Sequence, residues 1–231
     1  MPKTCSERAA PETTRVVLHG PTMGTRWSAT CELAPQIDAR ALQRDLAATV
    51  ERVDAQMSPW RSDSCLVQLN QAPVGAWFAL TTEMLQILAC ALDIGRLSQG
   101  AFDIGVGALV DAWGFGAARS APDASAIRAA RALAHGPAHE TLELDLHAGR
   151  ARKLAPLQID LCGIAKGYAV DRMAEVLQHH GVAQALAALD CELRAIGGQA
   201  DGRPWAVAIE SPQTGLRRAH GVLALQDLAV A

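Results

Sequence analysis

The chain has 231 residues, of which 50% are hydrophobic and 19% charged, with a formal net charge of −3. This composition excludes a disordered chain, which would combine few apolar residues with a high net charge. A pI near 6.1 without a basic stripe argues against a nucleic-acid binder, so we expect no nucleic-acid partner. No apolar run approaches the roughly 20 residues of a membrane-spanning helix, so no transmembrane segment is expected.

The N-terminal segment, residues 1–14, is polar and lacks the apolar core of a secretory signal. We expect this segment to be disordered and the chain to be cytoplasmic. The six cysteines form no Cys-x-x-Cys pair and match no zinc-site spacing. Free thiols in a reducing compartment are therefore expected.

The first half of the chain is predicted to be mainly helical. Its predicted elements are strands at 15–19 and 25–33, joined by a loop at 20–24, and helices at 35–57, 64–70, 83–97 and 124–134. Apolar residues at steps of three and four define the helices, and Thr81 is a plausible N-cap for the third. The stretch 100–116 has five glycines yet is apolar, which favours backbone lying close to a ligand or to another element.

The second half is predicted to be mainly strands, after a loop at 136–140. Its predicted elements are strands at 141–146, 150–154, 157–161, 183–189, 193–196, 205–209 and 221–225, and one helix from 163 to about 180. Helices followed by strands indicate an α+β fold, a largely antiparallel sheet with packed helices. The last apolar run, 228–231, is cut by the end of the sequence. We therefore expect a domain over 15–231 that is incomplete at its C-terminus.

The strongest local motif is the segment 158–168, where a predicted strand ends on Asp160 and a glycine-containing turn opens a helix. Helix N-termini attract anions, and Lys166 in the first turn adds a cation, so the corner suits phosphate. No Gly-Lys-Ser/Thr sequence is present, which excludes a Walker A loop. The alternative is a tight strand-to-helix connection with a solvated Lys166.

Two other sets of residues are candidates for ligand contact. Asp103 follows Phe102 at the start of the glycine-rich stretch, either as a ligand-binding carboxylate or as the N-cap of a helix near 106–113. Met23 and Trp60 have the apolar side chains that would wall a planar heterocycle, or else they belong to the core. Serine-histidine-aspartate catalysis has no support, because no Gly-x-Ser-x-Gly motif occurs.

Taken in order, these segments resemble the ApbE family of FAD:protein FMN transferases. The matching stretches lie at 23–25, 57–64 with 69–70, 100–103, 106–116, 160–171 and 202–205. The resemblance implies an ApbE-like flavin transferase fold and an enzyme of protein flavinylation. Such an enzyme binds FAD and Mg²⁺, passes FMN to a threonine hydroxyl of an acceptor flavoprotein, and releases AMP.

The same resemblance assigns site residues. It implies FAD contacts for Met23, Trp60, Ala101, Phe102, Asp103, Asp160 and Lys166. It implies a metal ligand at Gly163, through the carbonyl oxygen, and it names no catalytic nucleophile because the acceptor supplies one.

Several departures from the family pattern favour impaired activity. Cys162 stands where glycine is frequent, Asp190-Cys191-Glu192 replaces a Gly-Gly-Asp stretch, and Trp60 replaces a frequent tyrosine. The family's later metal-ligating Asp/Thr segment does not occur in these residues. Alternatives are an FAD-binding or flavin-carrier protein without transferase activity, and a poorly folding fragment. Family members are often periplasmic and membrane-tethered, unlike the cytoplasmic location expected here.

Overall fold

A computed structural model describes residues 12–117, 121–132, 136–213, 215 and 218–231. Nearly all of the predicted disordered segment 1–14 lies outside the described residues. The chain divides into two compact units, one formed by Met1–Val50 and Val170–Ala231 and the other by Glu51–Ala169. A single domain over 15–231 stays a prediction.

Most helices precede residue 180 and five strands follow it, as in the α+β class. The strands are β1 (Thr14–Thr22), β2 (Thr25–Leu33), β3 (Phe78–Ala79), β4 (Leu142–Asp145), β5 (Arg150–Lys153), β6 (Ala185–Leu189), β7 (Glu192–Ile196), β8 (Trp205–Glu210), β9 (Ala219–Leu225) and β10 (Ala229–Val230). The helices are α1 (Ala39–Met57), α2 (Cys65–Gln71), α3 (Thr82–Leu97), α4 (Gly107–Ala112), α5 (Ala124–Ala132), α6 (Ala138–Thr141) and α7 (Cys162–His179), with a 3-10 helix at Ile104–Val106. None of these helices is both long and apolar enough to span a bilayer within the described residues.

The first unit is built on a five-stranded sheet in the order β1-β2-β6-β7-β10, in which every neighbouring pair is antiparallel. Strand β1 runs further than predicted, through Pro21, which an edge strand tolerates because proline has no N–H to donate. The β1–β2 turn is therefore only Met23 and Gly24, with φ of 44° and 70°. Two successive positive φ values are typical of a tight type I′ hairpin turn.

Alternating side chains of the central strands form the core of this sheet. Trp27, Ala29 and Cys31 of β2 are buried, and so are alternate residues of β6. A Cβ at Gly20 would lie 2.7 Å from Nε1 of Trp27, so glycine is needed where the indole crosses β1. The separate β8–β9 hairpin packs Trp205 and Leu225 against the sheet residue Ala195.

The second unit packs helices against a three-stranded sheet in the order β3-β5-β4. Helix α3 begins after Thr81, whose hydroxyl accepts from the N–H of Met84 at 3.2 Å, as predicted for an N-cap. Buried leucines and methionines of α2 and α3 form its core. Trp77 stacks beneath the guanidinium groups of Arg150 and Arg152, at 4.4 and 4.5 Å.

Three predicted segments differ from the structure. Residues 157–161 form no strand, because their backbone bonds go to a side-chain amide and to the start of α4 rather than to a strand. Helix α6 occupies part of the loop expected at 136–140. Helix α1 starts at Ala39 instead of 35, after Asp38 accepts a hydrogen bond from the N–H of Arg40. The end of the helix predicted over 124–134 lies outside the described residues.

Candidate functional site

Before α7, the Asp160 carboxylate lies beside the helix N-terminus as predicted, although the strand expected to end on Asp160 is not formed. Oδ1 of Asp160 accepts from the N–H of Cys162, the first residue of α7, at 2.8 Å. The carbonyl of Leu161 accepts from Ile164 and Ala165. Gly163, the second residue of α7, is exposed, and the first N–H groups of a helix have no partner within the helix.

Asp103 caps the 3-10 helix and also joins it to a second element. Its Oδ1 accepts from the N–H of Gly105 at 2.8 Å and from the N–H of Ala138 at 3.0 Å. The N-cap alternative for Asp103 is thus confirmed, although the helix it caps, Ile104–Val106, precedes α4. A ligand contact through Oδ2 is compatible with this geometry and stays a prediction.

The residues around Asp103 and Asp160 lie against one another. The N–H of Asp160 donates to the carbonyl of Ile104, the residue after Asp103, at 2.8 Å. A Cβ at Gly163 would lie 3.4 Å from Cε2 of Phe102, so the phenyl ring borders the first turn of α7. Ala101 is exposed next to that ring. Five predicted residues therefore lie at one corner of the second unit: Ala101, Phe102, Asp103, Asp160 and Gly163. Lys166 follows Gly163 in the same helix, α7.

The charges at this corner act on one another through Cys162. Burial and, after it, the Asp160 carboxylate together raise the pKa of the Cys162 thiol to about 11. The Lys166 ammonium lowers the same pKa, which places its charge within electrostatic reach of Cys162. A cation beside the open end of α7 is the arrangement that attracts an anion.

Trp60 is presented on a well-fixed turn and is 63% exposed. Its N–H donates to Oγ of Ser58 at 3.2 Å, and the hydroxyl of Ser64 donates to the Ser58 carbonyl at 2.7 Å. Arg61 adds ion pairs to Glu51 and to other carboxylates. The indole ring is therefore exposed to solvent, where a ligand could contact it, and does not pack in the core.

Met23 occupies the turn between β1 and β2, in the first unit. The other predicted site residues belong to the second unit. Participation of Met23 in the site stays a prediction.

Two surface cavities lie elsewhere in the second unit, along α3 and the β4–β5 hairpin. Leu146 lines both, and no predicted site residue lines either. The first is lined mainly by apolar residues and the second also by Arg96 and several acidic side chains, but neither contains a helix N-terminus next to a lysine. The charged corner is the better candidate because it combines a cation with helix N–H groups.

Mg²⁺ requires several oxygen ligands. No group of three or more His, Cys, Asp or Glu side chains among the described residues is arranged to hold a metal ion. Gly163 offers only its carbonyl oxygen, and Asp160 already accepts a backbone N–H. The described residues therefore do not form a Mg²⁺ site by themselves, and the metal role of Gly163 stays a prediction.

Sequence reasoning missed the residues that hold the corner together. Asn70 bonds both backbone groups of Ile159, and the buried Lys153 bonds the carbonyl of Asn70. Gly107 approaches Gln158 so closely that a Cβ would lie 2.8 Å from the Gln158 oxygen. The one sequence feature that singles out Lys153 is its rarity, since it is one of only three lysines in the chain.

Comparisons with known proteins agree on one family. The family model described as "ApbE family" matches residues 23–231. The chain is 36% identical over 222 residues to an FAD:protein FMN transferase of Vibrio cholerae, covering 94% of this chain and 65% of that protein. It is 33% identical to the protein of the same name from Salmonella typhimurium, covering 97% and 65%. The chain thus spans just under two thirds of these curated relatives.

Solved structures give the same result for the fold. A flavin transferase ApbE from Vibrio cholerae superposes with a TM-score of 0.84 at 34% identity, covering 95% of this chain and 71% of that one. The apo form of a flavinyl transferase ApbE from Pseudomonas stutzeri superposes with a TM-score of 0.80 at 30% identity, covering 93% and 69%. The predicted α+β fold with a largely antiparallel sheet is therefore confirmed.

Proposed function

Because the chain belongs to the ApbE family, we propose that it acts in FAD:protein FMN transfer. The proposed reaction moves FMN from FAD to a threonine hydroxyl of an acceptor flavoprotein and releases AMP. In that step the threonine oxygen bonds to the phosphorus on the FMN side of the diphosphate. The bond from that phosphorus to the bridging oxygen breaks, AMP leaves with the bridging oxygen, and the hydroxyl proton passes to solvent.

One observation carries the proposal: the carboxylates of Asp103 and Asp160, the open end of α7 and the Lys166 charge meet at one corner. A diphosphate needs a cation and N–H donors, and this corner has both. Phe102 borders the same turn, and exposed Trp60 offers an aromatic face for a flavin or adenine ring. In this proposal Asp103 would accept a hydrogen bond from the nucleotide through its second carboxylate oxygen.

We include Mg²⁺ dependence in the proposal only because the resemblance to the ApbE family implies it. No step is assigned to the ion, since the described residues do not form its site. When bound to a diphosphate, Mg²⁺ neutralises charge on the leaving phosphate. The residues of this chain would hold and orient the nucleotide.

A second candidate function is FAD binding without transfer. A helix N-terminus with a nearby lysine is sufficient for this function, which needs no metal. The two functions separate when the chain is incubated with FAD, Mg²⁺ and a threonine-containing acceptor. Covalent FMN on the acceptor, seen as a mass shift together with AMP release, supports transfer. Flavin binding without AMP supports the carrier function, and a lack of flavin binding contradicts both.

A further inference from the structure

Lys153 is a buried lysine whose ammonium holds a backbone carbonyl. It lies in β5, is 5% exposed, and its Nζ donates to the Asn70 carbonyl at 2.5 Å. Among the described residues no carboxylate pairs with this ammonium, and burial lowers its pKa. A buried charge without a counter-charge costs stability. The position therefore needs a reason beyond packing.

The reason lies in what Asn70 does with its side chain. Its Nδ2 donates to the carbonyl of Ile159 at 2.9 Å, and its Oδ1 accepts from the N–H of Ile159 at 2.8 Å. Ile159 is 2% exposed, so water cannot satisfy these groups. One amide side chain thus makes the two bonds that a neighbouring strand would make.

Residues 158–160 are tied from two sides. On one side, the N–H of Gly107 donates to Gln158 at 3.0 Å and the N–H of Asp160 donates to Ile104 at 2.8 Å. These bonds come from the segment that follows Asp103. On the other side, Asn70 joins Ile159 to the C-terminal end of α2, where Lys153 fixes the Asn70 main chain. A cation suits that end of the helix, whose carbonyls lack intrahelical partners.

We propose that Asn70, with its carbonyl held by Lys153, is a positioning residue of the flavin nucleotide site. It fixes Ile159 and thereby sets where the adjacent Asp160 carboxylate and the first turn of α7 stand. The inference rests on the proposed function for the identity of the ligand, but its structural part is independent of that function.

The structural part is tested without flavin, by hydrogen exchange of the backbone amides of residues 159–162. Asn70→Ala removes both bonds to Ile159. Asn70→Asp keeps the size and shape of the side chain but replaces the donor with an acceptor facing the Ile159 carbonyl. We expect both variants to speed exchange at these amides about tenfold, which corresponds to about 1.4 kcal/mol of local opening. We expect Lys153→Met also to speed exchange of these amides, but by less than the two Asn70 variants.

The matched control is Thr81→Ala, which removes the N-cap bond of α3 and the hydrogen bond from the Thr81 hydroxyl to the Gln56 side chain in the same unit. It lowers global stability by loss of these hydrogen bonds, but it leaves the corner intact. Exchange of residues 159–162 should then rise no more than that of the rest of the unit. If the amides of residues 159–162 exchange equally fast in Asn70→Ala, Asn70→Asp and the wild type, the proposal is overturned. This outcome does not depend on whether the chain binds flavin.

The functional part is tested by flavin fluorescence at a temperature where every variant is folded. We expect Asn70→Ala and Asn70→Asp to raise the Kd for FAD about tenfold, whereas Thr81→Ala leaves it unchanged. Faster exchange with an unchanged Kd would overturn the role of Asn70 in the site. If the wild-type chain binds no FAD while exchange responds as expected, the positioning of Asp160 stands and the proposed function fails.

Discussion

Gly107 offers a sharp test of how the candidate site is built. Its N–H donates to the carbonyl of Gln158 at 3.0 Å, and a Cβ at this position would lie 2.8 Å from that oxygen and 2.9 Å from Cγ of Gln158. Gly107→Ala must therefore push α4 away from residues 158–160. The backbone oxygen is itself fixed by this bond, so the contact does not relax at low cost.

The expected loss of stability is about 1–3 kcal/mol, the usual range for forcing an extra methyl group into a packed site. At about 2–4 °C per kcal/mol for a chain of this length, the fall in Tm is about 2–12 °C. Differential scanning calorimetry or circular dichroism would measure it. Flavin affinity should fall as well, because Asp160 moves with Gln158.

The control for Gly107 is the same substitution at Gly167. Gly167 lies inside α7, and a Cβ there would meet nothing within 4 Å. Alanine favours a helix over glycine by about 1 kcal/mol, so Gly167→Ala should raise Tm. If Gly107→Ala melts at or above the wild-type temperature, the close approach of α4 to residues 158–160 is wrong.

Three further predictions follow from the site and its surroundings. Trp60→Ala should leave the free energy of unfolding within about 0.5 kcal/mol of wild type, because the side chain is 63% exposed. The same substitution should weaken FAD binding in a fluorescence titration. A large loss of stability would mean that the indole packs in the core. Asp38→Ala should destabilise the chain at pH 7, and this destabilisation should shrink as the pH falls below 3.8. The N–H groups of Ala41 and Arg40 lower the pKa of Asp38, so its contribution is fully present above the ordinary value of 3.8 and is lost as pH falls through the folded pKa. Urea unfolding of both proteins over a series of acidic pH values would show a constant difference if this is wrong. Cys162 should react slowly with iodoacetamide at pH 8 and faster as the pH approaches its pKa of about 11, whereas a thiol with an ordinary pKa already reacts fast at pH 8. Mass spectrometry of the labelled peptides measures the rate. Fast labelling of Cys162 at pH 8 would contradict the raised pKa.

Much of the fold was predictable because the signals are local. The apolar spacing along α1, the N-cap Thr81 and the alternation of β4 and β5 each depend on nearby residues, and the structure confirms them. Residues 157–161 read as a strand because they are apolar and extended. Whether an extended segment joins a sheet depends on its partners, and here these are Asn70, Ile104 and Gly107, which are distant in sequence.

Part of the local geometry of the candidate site was also predictable. Asp103 and Asp160 carry local signals, a cap before a short helix and a carboxylate before a helix start. Their mutual placement depends on the bond between Asp160 and Ile104, which no local pattern encodes. Lys153 and Asn70 were missed for the same reason, since a buried lysine in a short strand has the same local sequence as an exposed one.

The central claim is that the corner of Asp103, Asp160 and the start of α7 binds the diphosphate of FAD, with Lys166 as its cation. The most direct measurement compares the Kd values of riboflavin, FMN and FAD for the wild type and for Lys166→Met. The account predicts that the wild type prefers FAD to riboflavin and that Lys166→Met loses most of this preference, because the ammonium acts only on the phosphates. Equal affinity of the wild type for riboflavin and FAD, or an unchanged preference in Lys166→Met, would contradict it.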